Sequence, residues 1–404
     1  MPSSAGPNTT GESNIVFSYD TGDTSNSYRG EPTVNIHANS EDVNSWTGNL
    51  FNNWINSGVS SNTVVAPNGT LTGDIIGDGF GRFNASSTAI PGQAYTYSVY
   101  LKNVTLTSGF YIWYAFGLNE GLVTYGQALF VPITSINPSE WIRFSVTVTA
   151  PGSGINQVQF GPCPFTGYNY GSTYSSPTYN SSGAQLAVWG GQIEQKSHVT
   201  PYTSGTRSST QGLLPLIGNS TLDLTNMSFN SNAQMYFDGT DDYISCGTLS
   251  LDFSQGITVE AIANFTNVGS WQRIMDFGNG SASNNILLSR YGSSDDLWFE
   301  IYNGTSSTSI NTSLGILYNQ LCHYVVTVNG ATAYVYRNGV LINSGTFATV
   351  PTTISRTNCY IGKSNWADAY YQGIIPITKL YNTALSANQV KQNYQQYKSR
   401  FNLS

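Results

Sequence analysis

The sequence predicts an all-β protein of two sandwich domains, with one C-terminal α-helix packed on the second. Three observations carry that expectation. Charged residues make up only 9% of the 404, against about 25% in a typical globular chain; Gly, Ser, Thr, Asn and Tyr fill the deficit. Short runs rich in Val, Ile and Tyr alternate in polarity between Gly, Pro, Asn and Ser, which is the pattern of strands joined by turns. An aromatic content of 13% argues against disorder in so polar a chain.

In chain order, residues 14–32 (NIVFSYDTGDTSNSYRGEP) read as an apolar strand leading into a turn that carries Asp20 and Asp23. Four runs follow with strand length and apolar alternation: 95–104, 109–118, 140–150 and 184–194. The segment 194–205 (EQKSHVTPYTSG) reads as a loop. Beyond it, YFDGTDDYI (236–244) is a strand broken by a tight turn. Strand-like runs succeed one another at 256–265, 271–278, 285–292, 296–304, 323–330 and 332–345. The dipeptide Asn338-Gly339, between two alternating runs, marks a hairpin. Runs 358–364 and 370–382 supply the last two strands. Ser386 then caps a helix whose Val390, Tyr394 and Tyr397 share one face.

YFDGTDDYI and KLYNTALSANQVKQNYQQYKSRF (379–401), in that order, resemble the first and last landmarks of the laminin-G-like, concanavalin A-like jelly roll. The helix and its basic-aromatic tail are similar to the version found in tailed-phage virion proteins. The opening strand and Asp-rich turn at 14–32 resemble the start of the same domain. The runs YTYSVYLK, WIRFSVTVTAP and WGGQIE resemble a second jelly roll, of the carbohydrate-binding-module type of families four and nine. The expected organisation is therefore a discontinuous jelly roll, 1–32 plus 204–404, with a second jelly roll, 33–203, inserted in its first turn. Two domains in series, cut near Tyr202, are the alternative.

Composition excludes several functions. A net charge of −7, with 15 scattered Lys and Arg, leaves no basic cluster for nucleic acid. No apolar run reaches the roughly 18 residues of a membrane helix, and the first residues show no secretory pattern. The cysteines 163, 246, 322 and 359 lack metal spacing and are expected as buried free thiols. His37, His198 and His323 lack convergent partners for a nucleophilic or metal site. The strand TVEAIANF carries Glu260 without the further alternating carboxylates of the concanavalin-like glucanases. No enzyme is expected.

Sugar sites pair aromatic platforms with amide and hydroxyl groups. The segment 161–183 gathers Tyr168, Tyr170, Tyr174 and Tyr179 among Gly, Ser, Thr and Asn, as a contact loop or as a packed interface; Trp46 and Trp54 are secondary candidates. The resemblance also implies rim calcium, for which Asp20, Asp23, Asp238, Asp241 and Asp242 are the candidates. It implies a virion surface protein, fibre or capsid decoration, made in the host cytoplasm. Its partners would be other virion subunits, copies of itself and cell-surface polysaccharide. The alternative is an accessory glycan-binding protein of a secreted or cell-surface polysaccharide-active system.

Overall fold

The computed structural model describes residues 14–37, 40–46, 59–77, 89–107, 109–118, 122–163, 183–348 and 350–404. The chain forms two compact units, Met1–Pro32 with Ser208–Ser404, and Thr33–Arg207. Both are antiparallel sandwiches of the jelly-roll type.

In the first unit an eight-stranded sheet runs Ser228–Phe229, Met235–Asp238, Gln372–Tyr381, Ile257–Phe265, Cys322–Asn329, Thr332–Arg337, Val340–Thr346. Ile15–Asp20 pairs with Gln372–Tyr381 as well, from Asp20 opposite Ile377 to Ile15 opposite Tyr381. The facing six-stranded sheet runs Ile244–Ser245, Asn358–Ile361, Arg273–Gly278, Ile286–Arg290, Leu297–Asn303, Ser306–Thr312. Alternate residues of the two sheets meet in one core, including Phe17, Tyr19, Val259, Phe277, Leu288, Phe299, Val326 and Leu380. Asn338 and Gly339 both take positive φ, 51° and 72°, which suits the right-handed twist of the hairpin they close.

The helix Ala387–Phe401 covers the outer face of the eight-stranded sheet. Ser386 and Gln389 form a reciprocal capping box at its start, and Asn402 ends it in the left-handed region. Val390 packs on Val325 and Tyr336, while Tyr394 and Tyr397 pack on Ile262 and Ile377. Beneath the helix, fully buried Glu260 accepts hydrogen bonds from Tyr381 Oη at 2.6 Å and Asn393 Nδ2 at 3.0 Å, and meets His323 Nε2 at 2.7 Å. Arg400 holds Asp20 through both guanidinium nitrogens, one contact being 2.6 Å.

The second unit has a five-stranded sheet, Val59–Val64, Gly73–Ile76, Leu186–Glu194, Ala94–Asn103, Ile142–Thr149, and a three-stranded sheet, Leu122–Val131, Phe110–Leu118, Gln157–Cys163. Their inner faces share a core with Tyr95, Tyr97, Phe110, Phe116, Phe160 and Val188. Its first and last residues are clipped together, Thr33 opposite Arg207. Among the described side chains, Cys246, Cys322 and Cys359 are buried free thiols.

The pairing of Ile15–Asp20 carries a prediction. A fragment spanning 204–404 lacks Phe17 and Tyr19, both 0% exposed, and leaves half of the Gln372–Tyr381 strand without its partner. Such an open apolar edge invites aggregation, so the fragment is expected to be insoluble or molten. A soluble fragment with a cooperative thermal transition would contradict this.

Candidate functional site on the six-stranded sheet

Strand alternation builds this site. In Leu297–Asn303, Leu297, Phe299 and Ile301 enter the core, so Trp298, Glu300 and Tyr302 line the opposite face. Register places Arg273, Ser289 and Trp298 side by side across three strands. A parallel row holds Tyr360, Asp276, Leu287 and Glu300.

Two aromatic groups frame the polar row. Trp271, Tyr291 and Trp298 cluster with ring centroids 4.8 to 6.3 Å apart, and Trp366 lies 5.7 Å from Tyr302. The Arg273 guanidinium bridges the groups, 5.6 Å from the Trp271 ring and 5.6 Å from the Trp366 ring. Trp366 comes from the loop after Gly362. That glycine has φ +82°, and a Cβ there would meet Phe237 at 2.4 Å, so the turn requires glycine. Nearby, Lys363 Nζ stands 4.1 Å from the Tyr243 ring and 4.8 Å from the Tyr360 ring.

The charges on this face are matched internally. Arg273 donates to Asp368 at 2.9 Å and has Asp276 at 3.9 Å. Burial lowers the Arg273 pKa, an effect the charges of Asp276, Asp368 and Glu300 oppose. Asp276 accepts from Asn285 Nδ2 at 2.8 Å, Asn365 N at 2.9 Å and Asn365 Nδ2 at 2.9 Å. Burial nevertheless raises its pKa. Glu300 accepts from the Trp298 indole at 3.1 Å.

Three buried polar atoms beside these groups make no hydrogen bond: Ser289 Oγ, Arg273 Nε and Gln272 Oε1. The Gln272 amide nitrogen is engaged, donating to Tyr370 O at 2.9 Å. Buried polar atoms normally find partners. A group of orphans under a tryptophan-framed surface has the chemistry of a site that receives hydroxyls.

The residues singled out from sequence fall elsewhere. Tyr168, Tyr170, Tyr174, Tyr179 and Trp54 lie outside the described residues. Trp46 is no exposed platform: it is 1% exposed, packed in the second unit's core 4.7 Å from His37. Of the five calcium candidates, Asp20 and Asp23 do not belong to the group that converges. Asp20 is held by Arg400, and Asp23 accepts from the backbone of Ser25 and Asn26 within its own turn.

Asp238, Asp241 and Asp242 do converge, with carboxylate oxygens within 4.8 Å of one another. Burial raises Asp242 to about 6. Its two oxygens already accept from Ser228 Oγ at 3.1 Å and Asp238 N at 2.7 Å. Calcium takes roughly six to eight oxygens, and this trio does not supply such a cage.

Residues 238–391 match the family described as the concanavalin A-like lectin/glucanases superfamily, laminin-G type. This segment is a concanavalin A-like jelly-roll domain. The chain also has distant similarity to solved structures. The botulinum neurotoxin serotype G binding domain is 16% identical with a TM-score of 0.37, over 47% of this chain and 49% of its own. The Ruminococcus gnavus IT-sialidase CBM40 bound to α2,3-sialyllactose is 14% identical with a TM-score of 0.31, over 34% of this chain and 82% of its own. The chain thus spans about half the length of the neurotoxin domain it matches. No curated protein matches it in sequence.

The aromatic face of the concanavalin A-like unit went unrecognised in the sequence. One signal was present: Trp298, Glu300 and Tyr302 alternate at period two within LWFEIYN. Trp271, Arg273 and Trp366 join them only through the sheet.

Proposed function

We propose that this protein is a non-enzymatic glycan-binding protein whose concanavalin A-like unit takes a saccharide on the outer face of its six-stranded sheet. The observation that carries this is the pair of buried atoms without hydrogen bonds, Ser289 Oγ and Gln272 Oε1, on strands that also carry Arg273 and Trp298 and next to Trp271. A pyranose offers apolar C–H faces for the rings and hydroxyls that both donate and accept. Asp276 and Glu300 are engaged with protein donors, which supports binding without hydrolysis.

A glycan array followed by titration calorimetry tests the reading. Trp298→Ala is expected to weaken binding by about tenfold or more, equivalent to about 1.4 kcal/mol. Ser289→Ala is expected to weaken it as well while leaving the thermal midpoint unchanged, because the hydroxyl makes no internal bond. Unaltered affinity in both variants would remove this face from consideration. Reducing-sugar release from a polysaccharide panel, abolished by Asp276→Asn, would make the protein an enzyme.

The setting we propose is a virion surface, as fibre or capsid decoration, in contact with neighbouring virion subunits and further copies of the chain. Support comes from the resemblance of the helix and basic-aromatic tail within 379–401 to the version found in tailed-phage virion proteins. Peptide mass spectrometry of purified particles is the check, and absence of the chain from them would remove the setting without touching the binding reading.

A further inference from the structure

Several cations of the concanavalin A-like unit are satisfied within it. Arg273 pairs with Asp368, Arg400 with Asp20, and Arg356 donates to the carbonyls of Asn284 and Thr352. Lys363 is different. Among the described residues it makes no hydrogen bond and no ion pair, and its ammonium meets three rings instead. The Tyr243 ring lies 4.1 Å away, Tyr360 4.8 Å and Tyr370 6.0 Å. The lysine and all three tyrosines are half-buried, so the group is open to solvent. The three phenol hydroxyls likewise make no hydrogen bond among the described residues.

The backbone fixes this arrangement. Ser245 lies opposite Tyr360 and Ile244 opposite Ile361, which brings Tyr243 and Tyr360 edge to face at 5.5 Å. Cys359 and Ile361 enter the core, so Tyr360 stands on the outer face, beside Asp276 in register. Tyr371 N donates to Gly362 O at 2.9 Å, closing the loop 363–370 and returning Tyr370 beside Lys363.

The neighbouring acids are occupied. Asp276 accepts from Asn285 and Asn365, and Asp368 from Arg273 and Ser364 Oγ. In the turn before Tyr243, Asp242 accepts from Ser228 Oγ and Asp238 N. No carboxylate of the described residues comes within 4.0 Å of Lys363. An ammonium has three donors and no acceptor. A neutral hydroxyl would give it a hydrogen bond alone, whereas an anionic oxygen gives a charge-assisted bond roughly twice as strong.

We infer that Lys363, with Tyr243, Tyr360 and Tyr370, is a subsite for the anionic group, carboxylate or sulfate, of an acidic saccharide. The inference rests on the glycan-binding reading above and adds the class of sugar to it. Lys363 selects for charge, and the tyrosines contribute apolar surface and free hydroxyls to the ring that bears it. The strand of Tyr360 and the strand of Trp298 are three apart, about 14 Å at roughly 4.8 Å each. That is too far for one sugar ring, so substitutions at the two places read separately.

The test uses the full chain on an array that pairs uronic-acid oligosaccharides with their methyl esters and sulfated oligosaccharides with desulfated ones. The two arms tell carboxylate from sulfate. The readout is the affinity ratio between the strongest anionic binder and its uncharged partner, by titration calorimetry. Lys363→Met is expected to lower this ratio about tenfold or more and to leave the uncharged partner's affinity as it was. Lys363→Arg keeps the charge and stacks on rings, so it should keep the ratio. Trp298→Ala should weaken both partners and preserve the ratio. In about 1 M salt, where the screening length is about 3 Å, the wild-type ratio should fall towards one. Both Lys363 variants should melt close to wild type, with Lys363→Gln as the alternative should methionine disturb the loop.

A wild type that prefers no anionic member over its uncharged partner would overturn the subsite. So would a ratio unchanged in Lys363→Met, with the tryptophan face left standing. A ratio lowered as much in Lys363→Arg would show shape rather than charge to matter, and would overturn it too. A ratio lost in Lys363→Met while Trp298→Ala and Ser289→Ala change nothing would remove the tryptophan face and support this subsite alone.

Discussion

Removing residues 386–404 is expected to leave the concanavalin A-like unit unable to fold. Val390, Tyr394, Tyr397 and Leu403 are 0 to 7% exposed. At about 1.5–3 kcal/mol for each large buried side chain, their loss amounts to roughly 6–12 kcal/mol. Whole domains are stable by only about 5–15 kcal/mol. The deletion also strips Asn393 from Glu260 and Arg400 from Asp20. Soluble yield and a thermal melt followed by circular dichroism are the measurements. A truncated chain melting cooperatively at the wild-type temperature would show the helix to be dispensable.

Acid is expected to destabilise the same unit through Glu260. Burial alone would raise this carboxyl. The hydrogen bond and charge of His323, the charge of Lys379 and the Tyr381 hydroxyl outweigh burial and hold it at about 2, below its ordinary 4.5. A depressed folded-state value means stability that is fully present above the unfolded value and is lost as pH falls from 4.5 towards 2. The amount is about 3 kcal/mol. Asp242 acts in the opposite sense: held at about 6 by burial, it makes stability rise as pH falls from 6 towards 4. Urea unfolding across a pH series separates the two. Glu260→Gln should flatten the lower slope and Asp242→Asn the upper one. A lower slope unchanged in Glu260→Gln would show that other carboxylates carry the acid loss.

What could be read from sequence depended on whether the deciding contact was local. Ser386 and the spacing of Val390, Tyr394 and Tyr397 specify helix and buried face within one short segment, and the structure has both. Asn338-Gly339 fixes its hairpin for the same reason. The strand Ser306–Thr312 went unread because SSTSINT has almost no apolar alternation; it is an edge strand, held by its ladder to Leu297–Asn303.

Leu122–Val131 and Gln157–Cys163 went unread too. Asp20 does accept from Gly22 N at 2.8 Å as its turn position suggests, but its further partner, Arg400, lies 380 positions away. Trp46 shows the limit for large aromatics. Size and apolarity do not tell whether a ring is a platform or a core residue; the side chains packed around it decide.

The strand Ile15–Asp20 has a consequence for how the protein is made. Tyr19 donates its hydroxyl hydrogen bond to Ile375, 356 positions later. At roughly 5–20 residues per second on a ribosome, that strand waits about 20–70 s for the chain that completes its sheet. The intervening unit needs no such delay, because its own ends meet at Thr33 and Arg207 well before synthesis reaches Ile375. Closing it early lowers the entropic barrier to the final pairing only slightly, by about 0.6 kcal/mol for a halved loop. Its larger effect is on the order of events: the guest folds first and its host last. Through that interval Phe17 and Tyr19 sit on a nascent chain without their final partners, which makes this segment the natural target of a holding chaperone.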